Sequence, residues 1–152
     1  MISRSQWGAD ESIRCDSPTY NDFIGGATVH HSAGNNDYTK AQSAGIVRSI
    51  YAYHAKTLGW CDIGYNALVD KYGQIFEGRS GGITNQVRAA HSGNNEVNTY
   101  AMGVAMAGTF ETVEPASGMT DAVVPLLAWG FGQMGLQSQG TVQVRQAPDW
   151  TS

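Results

Sequence analysis

Four histidines, one tyrosine and one arginine stand where they can do chemistry. His30 and His31 end a short segment, 27–31, that follows Gly25-Gly26 and holds the β-branched Thr28 and Val29. A neutral imidazole at such a strand end is a metal ligand or a proton carrier. Adjacent strand residues point to opposite faces, so only one of the pair can serve a given site. The plainer reading is two polar residues at a strand-to-loop junction. Tyr65 lies in Gly59-Trp60-Cys61-Asp62-Ile63-Gly64-Tyr65-Asn66. Its hydroxyl can donate a hydrogen bond to negative charge developing on a carbonyl, or it is a packed tyrosine with a satisfied hydroxyl. Arg79, after Glu77-Gly78, can grip a substrate carboxylate with two prongs, or it is a surface charge. His91 and Asn94 sit in Ala89-Ala90-His91-Ser92-Gly93-Asn94-Asn95, a stretch that suits a pocket wall or a plain turn. His54 falls on an apolar helical stripe and reads as a core histidine. Asp62 is placed to cap or orient a turn.

No His-Glu-x-x-His pattern, Gly-x-Ser-x-Gly elbow or phosphate-binding loop is present. Four histidines make no zinc site by number, because a closed site needs several ligands converging tetrahedrally.

The elements that must carry these residues alternate. Segment 27–31 reads as a strand and 32–37 as loop. Residues 40–58 read as a helix, with Ile46, Ile50, Tyr53 and His54 at the spacing of one buried stripe and Gly59 as its stop. Segments 67–70 and 74–77 flank Lys71-Tyr72-Gly73 as a hairpin. Residues 102–107 read as a strand of small residues in which Gly103 permits close backbone approach. A second helix is expected over 121–134 with Thr120 as N-cap, although Pro125 fits poorly inside it. Residues 141–144 read as a last strand and 145–152 as loop. Strands alternating with helices give an α/β fold.

The chain has 152 residues, the size of one domain able to bury roughly 70% of its unfolded surface. Nine basic and thirteen acidic residues give a net charge of −4, which argues against an overall basic surface for nucleic acid. No apolar run reaches the ~18 residues of a membrane span. No basic region followed by an apolar one opens the sequence as a signal peptide would. The 19 glycines are scattered without period, as tight turns require.

The two cysteines, Cys15 and Cys61, form no Cys-x-x-Cys pair and are either buried thiols or one disulfide. Closing that loop would stabilise by roughly 4 kcal/mol on the chain-entropy model, and a disulfide would place the chain in an oxidising compartment.

Taken together, five stretches resemble the peptidoglycan recognition protein and type 2 N-acetylmuramoyl-L-alanine amidase family. They are Arg4-Ser5-Gln6-Trp7-Gly8-Ala9, Val29-His30-His31-Ser32-Ala33-Gly34, the 53–66 run, Gly73-Gln74-Ile75-Phe76-Glu77-Gly78-Arg79, and Ala90-His91-Ser92-Gly93-Asn94. The 53–66 run is the most specific. The resemblance covers residues 4–137 of a single domain and leaves 138–152 as an irregular tail or the start of an insertion. It implies a mixed central β-sheet flanked by helices, with a groove for a muramyl peptide. It implies a zinc hydrolase that cuts the amide between the lactyl group of N-acetylmuramic acid and L-Ala of the stem peptide. His30 then matches a zinc ligand, and Tyr65 the catalytic tyrosine. His31, Arg79, His91 and Asn94 fall to substrate binding. Cys61 matches a cysteine often paired upstream, which favours a Cys15–Cys61 bond. The implied partner is peptidoglycan, outside the cell or in its envelope.

The remaining zinc ligands of that family belong to a later His-Arg-Asp stretch followed by Cys-Pro or Asp-Pro. Here no histidine follows His91 and no cysteine follows Cys61. The zinc site is therefore expected to be incomplete, and the chain to be a C-terminally truncated piece of an amidase with little activity of its own. The competing expectation is a peptidoglycan-binding module without catalysis. A third is a fragment with no independent function.

Overall fold

The computed structural model describes residues 1–137. Four strands form one sheet in the order β1-β4-β2-β3, where β1 is Gly26–His31, β2 Ala67–Val69, β3 Ile75–Glu77 and β4 Ala101–Met106. β4 runs parallel to both β1 and β2, and β2 pairs antiparallel with β3 across the 71–73 turn. The fold is mixed α/β, a central sheet flanked by helices, as the resemblance implies.

Strand alternation sorts the two faces. Met102, Val104, Ala67 and Val69 pack on one side with Met119, Val123 and Leu126 of the long helix α4, Ser117–Gln133. Leu68, Phe76 and Ala105 pack on the other with Trp7, Ile63 and the α2 residues Val47 and Tyr51. In the parallel β1–β4 register Thr28 stands opposite Gly103 and His30 opposite Ala105. His30 therefore faces the α2 side. His31 faces the α4 side, where its Nδ1 accepts a hydrogen bond from the Phe110 N–H.

The expected 40–58 helix is three elements. A 3₁₀ turn, Lys40–Gln42, leads into α2, Ser43–Ala52, which runs on into a π turn, Tyr53–Thr57. Its buried stripe is also shifted from the expected one. Val47, Tyr51, His54 and Ala55 are buried, whereas Tyr53 is 53% exposed. Ile46 and Ile50 are half-buried and line an open cavity of about 710 Å³ beside Ser32 and Gly45. Apolar residues lie on more than one side of this helix, and packing against Trp7 selects between them.

α4 begins at Ser117, four residues before the expected start, and keeps Pro125 inside. Thr120 is not its cap: its Oγ1 donates to the Ser117 carbonyl within the first turn. Two short helices were not anticipated. α1, Arg4–Trp7, is opened by a capping box between Ser3 and Gln6. α3, Asn95–Tyr100, is capped by Asn94, whose Oδ1 accepts from the N–H groups of Glu96 and Val97. The expected strand over 141–144 and the 138–152 tail lie outside the described residues. Among the described residues no helix is long and apolar enough to cross a membrane.

Candidate functional site

The sheet face under α2 gathers most of the candidate side chains. His30 comes from the end of β1. His54 comes from the π turn, which swings its ring inward over the loop that follows. There its Nδ1 accepts the Gly64 N–H at 2.9 Å. Gly64 must be glycine, since a Cβ would lie 2.7 Å from the Ala90 carbonyl oxygen and 3.0 Å from the Trp60 ring. That close packing sets Tyr65 between two imidazoles, with ring centroids 6.0 Å from His30 and 5.5 Å from His54. His91 completes the group at 4.9 Å from His30. Its Nδ1 is hydrogen-bonded to His30 Nε2 at 2.8 Å, and its Nε2 lies 3.2 Å from the Ala101 carbonyl oxygen.

Burial dominates the electrostatics. It pushes His54 and His91 down to about 4 and His30 below its ordinary value, so all three imidazoles are neutral at pH 7. Burial also raises Tyr65, which keeps its phenol protonated and able to donate. The Tyr65 hydroxyl makes no hydrogen bond among the described residues. The group is thus an uncharged set of donors and acceptors, suited to amides and hydroxyls.

The other candidates sit differently. Arg79 is desolvated, which draws its guanidinium below the ordinary value. It donates to the Ile63 carbonyl at 3.2 Å and the Trp60 carbonyl at 3.4 Å, supporting the loop behind Tyr65. His31 binds the loop at Phe110 on the far face, and Asn94 caps α3. Asp62 does more than orient a turn. It is 2% exposed and receives Arg4, the Ile63 N–H and the Ser80 N–H. Cys15 and Cys61 are disulfide-bonded. His54 is the buried, hydrogen-bonded histidine that the helical stripe led one to expect, and its ring also borders Tyr65. Arg4 is the residue that sequence reasoning undervalued. Arg4 shows no pattern in the sequence that distinguishes it from a surface arginine.

A catalytic zinc takes three protein ligands and keeps one position open. Among the described residues no three His, Cys, Asp or Glu side chains are grouped to hold a metal. Two nitrogens on one tetrahedral zinc stand roughly 3.3 Å apart. His30 and His91 are instead bonded to each other at 2.8 Å. The described residues do not fit a catalytic zinc.

Comparison with known proteins places the chain in a family. The chain is 34% identical over 128 residues to peptidoglycan-recognition protein SC2 of Drosophila melanogaster, which covers 84% of this chain and 65% of the relative. It is also 34% identical over 131 residues to peptidoglycan recognition protein 1 of Bos taurus, covering 86% of this chain and 65% of the relative. The chain thus spans about 65% of the length of these relatives. The crystal structure of peptidoglycan recognition protein LE in complex with tracheal cytotoxin, a monomeric diaminopimelic acid-type peptidoglycan, superposes with a TM-score of 0.79 at 27% identity. It covers 91% of this chain and 77% of that one. The family model for N-acetylmuramoyl-L-alanine amidase matches residues 20–150, and the chain belongs to that family.

Proposed function

We propose that the chain binds the muramyl peptide of bacterial peptidoglycan at the group formed by His30, His54, Tyr65 and His91. One observation carries this reading: a protonated Tyr65 hydroxyl with no hydrogen bond among the described residues, set among neutral imidazoles. A muramyl peptide offers amide carbonyls and sugar hydroxyls, and no charge has to be neutralised to receive them. The relatives and the tracheal cytotoxin complex point to the same ligand class.

A calorimetric titration with a monomeric diaminopimelic acid-type muropeptide tests it, with a chitin disaccharide as the peptide-free control. Saturable one-to-one binding of the muropeptide alone is expected. Equal heats from both ligands, or none from either, refute the reading.

A second reading is hydrolysis of the lactyl–L-Ala amide, and Tyr65 favours it. Its hydroxyl is the group that would donate to the carbonyl oxygen as negative charge develops there. Zinc would supply the activated water and polarise the carbonyl, but His30 is the one family ligand among the described residues. Release of free L-Ala amino groups from the muropeptide, with and without added zinc, separates an amidase from a recognition module. Zinc-dependent release establishes the first.

A further inference from the structure

Cys61 is a strained point in the loop that presents Tyr65. Its φ is 65°, in the left-handed region that a side chain other than glycine occupies at a cost. Among the described residues two contacts hold it there, and both come from Cys15. One is the disulfide. The other is a hydrogen bond from the Cys15 N–H to the Cys61 carbonyl at 3.2 Å.

The neighbours of Cys61 are tied elsewhere. Asp62 is held by Arg4 and by the Ile63 and Ser80 N–H groups. The Trp60 N–H donates to the His54 carbonyl at 2.9 Å. A freed Cys61 can therefore turn the peptides on its two sides without dragging the loop beyond Asp62. Those peptides matter to the ligand group. The Trp60 carbonyl accepts from Arg79 at 3.4 Å, and the Trp60 ring packs on Gly64 and lies 4.6 Å from the His54 ring. Neither cysteine belongs to either core cluster, so the packing of the sheet does not run through the bond. The bond is also within reach. Cys15 is exposed and Cys61 half-buried, and Cys15 lies in the irregular stretch between the 3₁₀ turn Glu11–Ile13 and β1.

We infer that the Cys15–Cys61 bond is a redox latch on the ligand group: closed, it holds Cys61 in its left-handed turn and Trp60 against His54 and Gly64; opened by a dithiol, it releases that turn and weakens muramyl peptide binding while the sheet stays folded. A thiolate of the dithiol attacks the exposed Cys15 sulfur, the S–S bond breaks, and Cys61 leaves as a thiolate. The second thiol of the reductant then displaces Cys15 and closes the reductant's own disulfide. Two electrons and two protons pass to the cysteines. By linkage, bound muramyl peptide favours the closed bond by the factor by which reduction weakens binding. The ligand side of this inference rests on the proposed muramyl peptide site, whereas the release of the turn does not.

¹H–¹⁵N spectra and muropeptide titrations of the whole chain, oxidised and after dithiothreitol, test it. Reduction is expected to move the Trp60 indole and Gly64 amide signals and to leave Leu68 of β2 and Ala105 of β4 in place. Muropeptide affinity is expected to fall about tenfold, and reoxidation to restore both. Two double variants separate the turn from the tie. Cys15→Ser with Cys61→Gly lets the left-handed turn persist without the bond and is expected to bind within about threefold of the oxidised parent. Cys15→Ser with Cys61→Ser is expected to bind like the reduced chain. Unmoved Trp60 and Gly64 signals on reduction, or equal affinity in the two redox states, overturns the inference. So do equal affinities of the two double variants. Loss of the β2 and β4 signals on reduction overturns it as well, since the bond would then be a staple of the fold alone. An oxidised chain that does not bind the muropeptide refutes the proposed ligand instead, and the spectra of the reduced chain then decide the latch by themselves.

Discussion

Two polar clusters, each only partly buried, flank the same short loop, 61–65, and they are built on opposite principles. On one side, Arg4 donates to Asp62 at 3.1 Å and to both oxygens of Glu11 at 2.7 and 3.0 Å. Its guanidinium lies 4.9 Å from the Tyr51 ring centre and 5.4 Å from that of Trp7. Asp62 accepts the Ile63 N–H at 2.7 Å and the Ser80 N–H at 2.8 Å. Opposite charges are paired and the remaining lone pairs are filled. On the other side, His30, His54, Tyr65 and His91 are neutral, and the Tyr65 hydroxyl has no hydrogen bond among the described residues. The first cluster fixes the loop. The second uses that fixed loop to present a phenol. A closed network spends its groups on the fold, whereas an open one keeps them for a ligand.

Breaking the closed cluster should do the most damage. Asp62→Ala takes from buried Arg4 one of its two carboxylate partners, strips the Ile63 and Ser80 N–H groups of their acceptor, and is expected to lower unfolding free energy by about 3–5 kcal/mol. Urea denaturation measures this, and a loss below about 1 kcal/mol would erase the distinction between the two clusters. Next comes the covalent tie on the same loop. The Cys15–Cys61 bond spans a sequence separation of 46, and replacing both cysteines by serine is expected to cost about 4 kcal/mol on the chain-entropy model. Cys61 has a positive φ of 65°, a conformation that side chains other than glycine adopt at a cost. The double variant should therefore also loosen the Trp60–Tyr65 loop, seen as faster amide exchange at Gly64.

What was legible in the sequence follows the same division. β1, the β2–β3 hairpin and β4 were read correctly because short apolar runs between turn residues have few alternatives. The α2 stripe was misread because Ile46, Ile50 and Tyr53 fit helical spacing as well as Val47 and Tyr51 do. Only contact with Trp7 and the sheet decides between them. α1 and α3 were missed although their caps are written at Ser3–Gln6 and at Asn94. Helices of four and six residues carry too few positions for periodicity to register. His30 and Tyr65 were singled out through the stretches that carry the family resemblance. The His30–His91 bond joins residues 61 apart and depends on an absent side chain at 103, so no local pattern contains it. Arg4 was missed for a related reason, since its partners Asp62 and Gly78 come from distant loops.

The open cluster should show itself in pH before it shows itself in mutation. His54 falls from an ordinary 6.5 to about 4 through burial, with Arg79 adding to the shift. Between those values the unfolded chain binds a proton that the native chain refuses. Stability therefore rises with pH across this window and is lost as pH falls from 6.5 toward 4. The contribution is roughly 2–3 kcal/mol. Glu11, held low by its hydrogen bond from Arg4, adds a loss of the same sign at the acid end. His54→Gln removes the first part and keeps the second. Melting temperatures measured from pH 7 to 4 should fall less steeply in that variant, and parallel curves would show that His54 does not titrate as its burial requires.

The smallest effect on the fold is expected at the residue placed at the centre of function. The Tyr65 hydroxyl has no hydrogen bond among the described residues, so Tyr65→Phe removes no native contact and keeps the ring between His30 and His54. Its unfolding free energy should match the parent within about 0.5 kcal/mol. Muropeptide affinity should nevertheless fall by about five- to tenfold, the worth of one hydrogen bond to a ligand. The corresponding loss at Asp62 is the reverse, large in stability and reaching the ligand only through the loop. If Tyr65→Phe instead destabilised the fold by more than about 1.5 kcal/mol, its hydroxyl would be a structural group like Asp62. The contrast between a cluster closed on itself and one left open would then fail at its most exposed point.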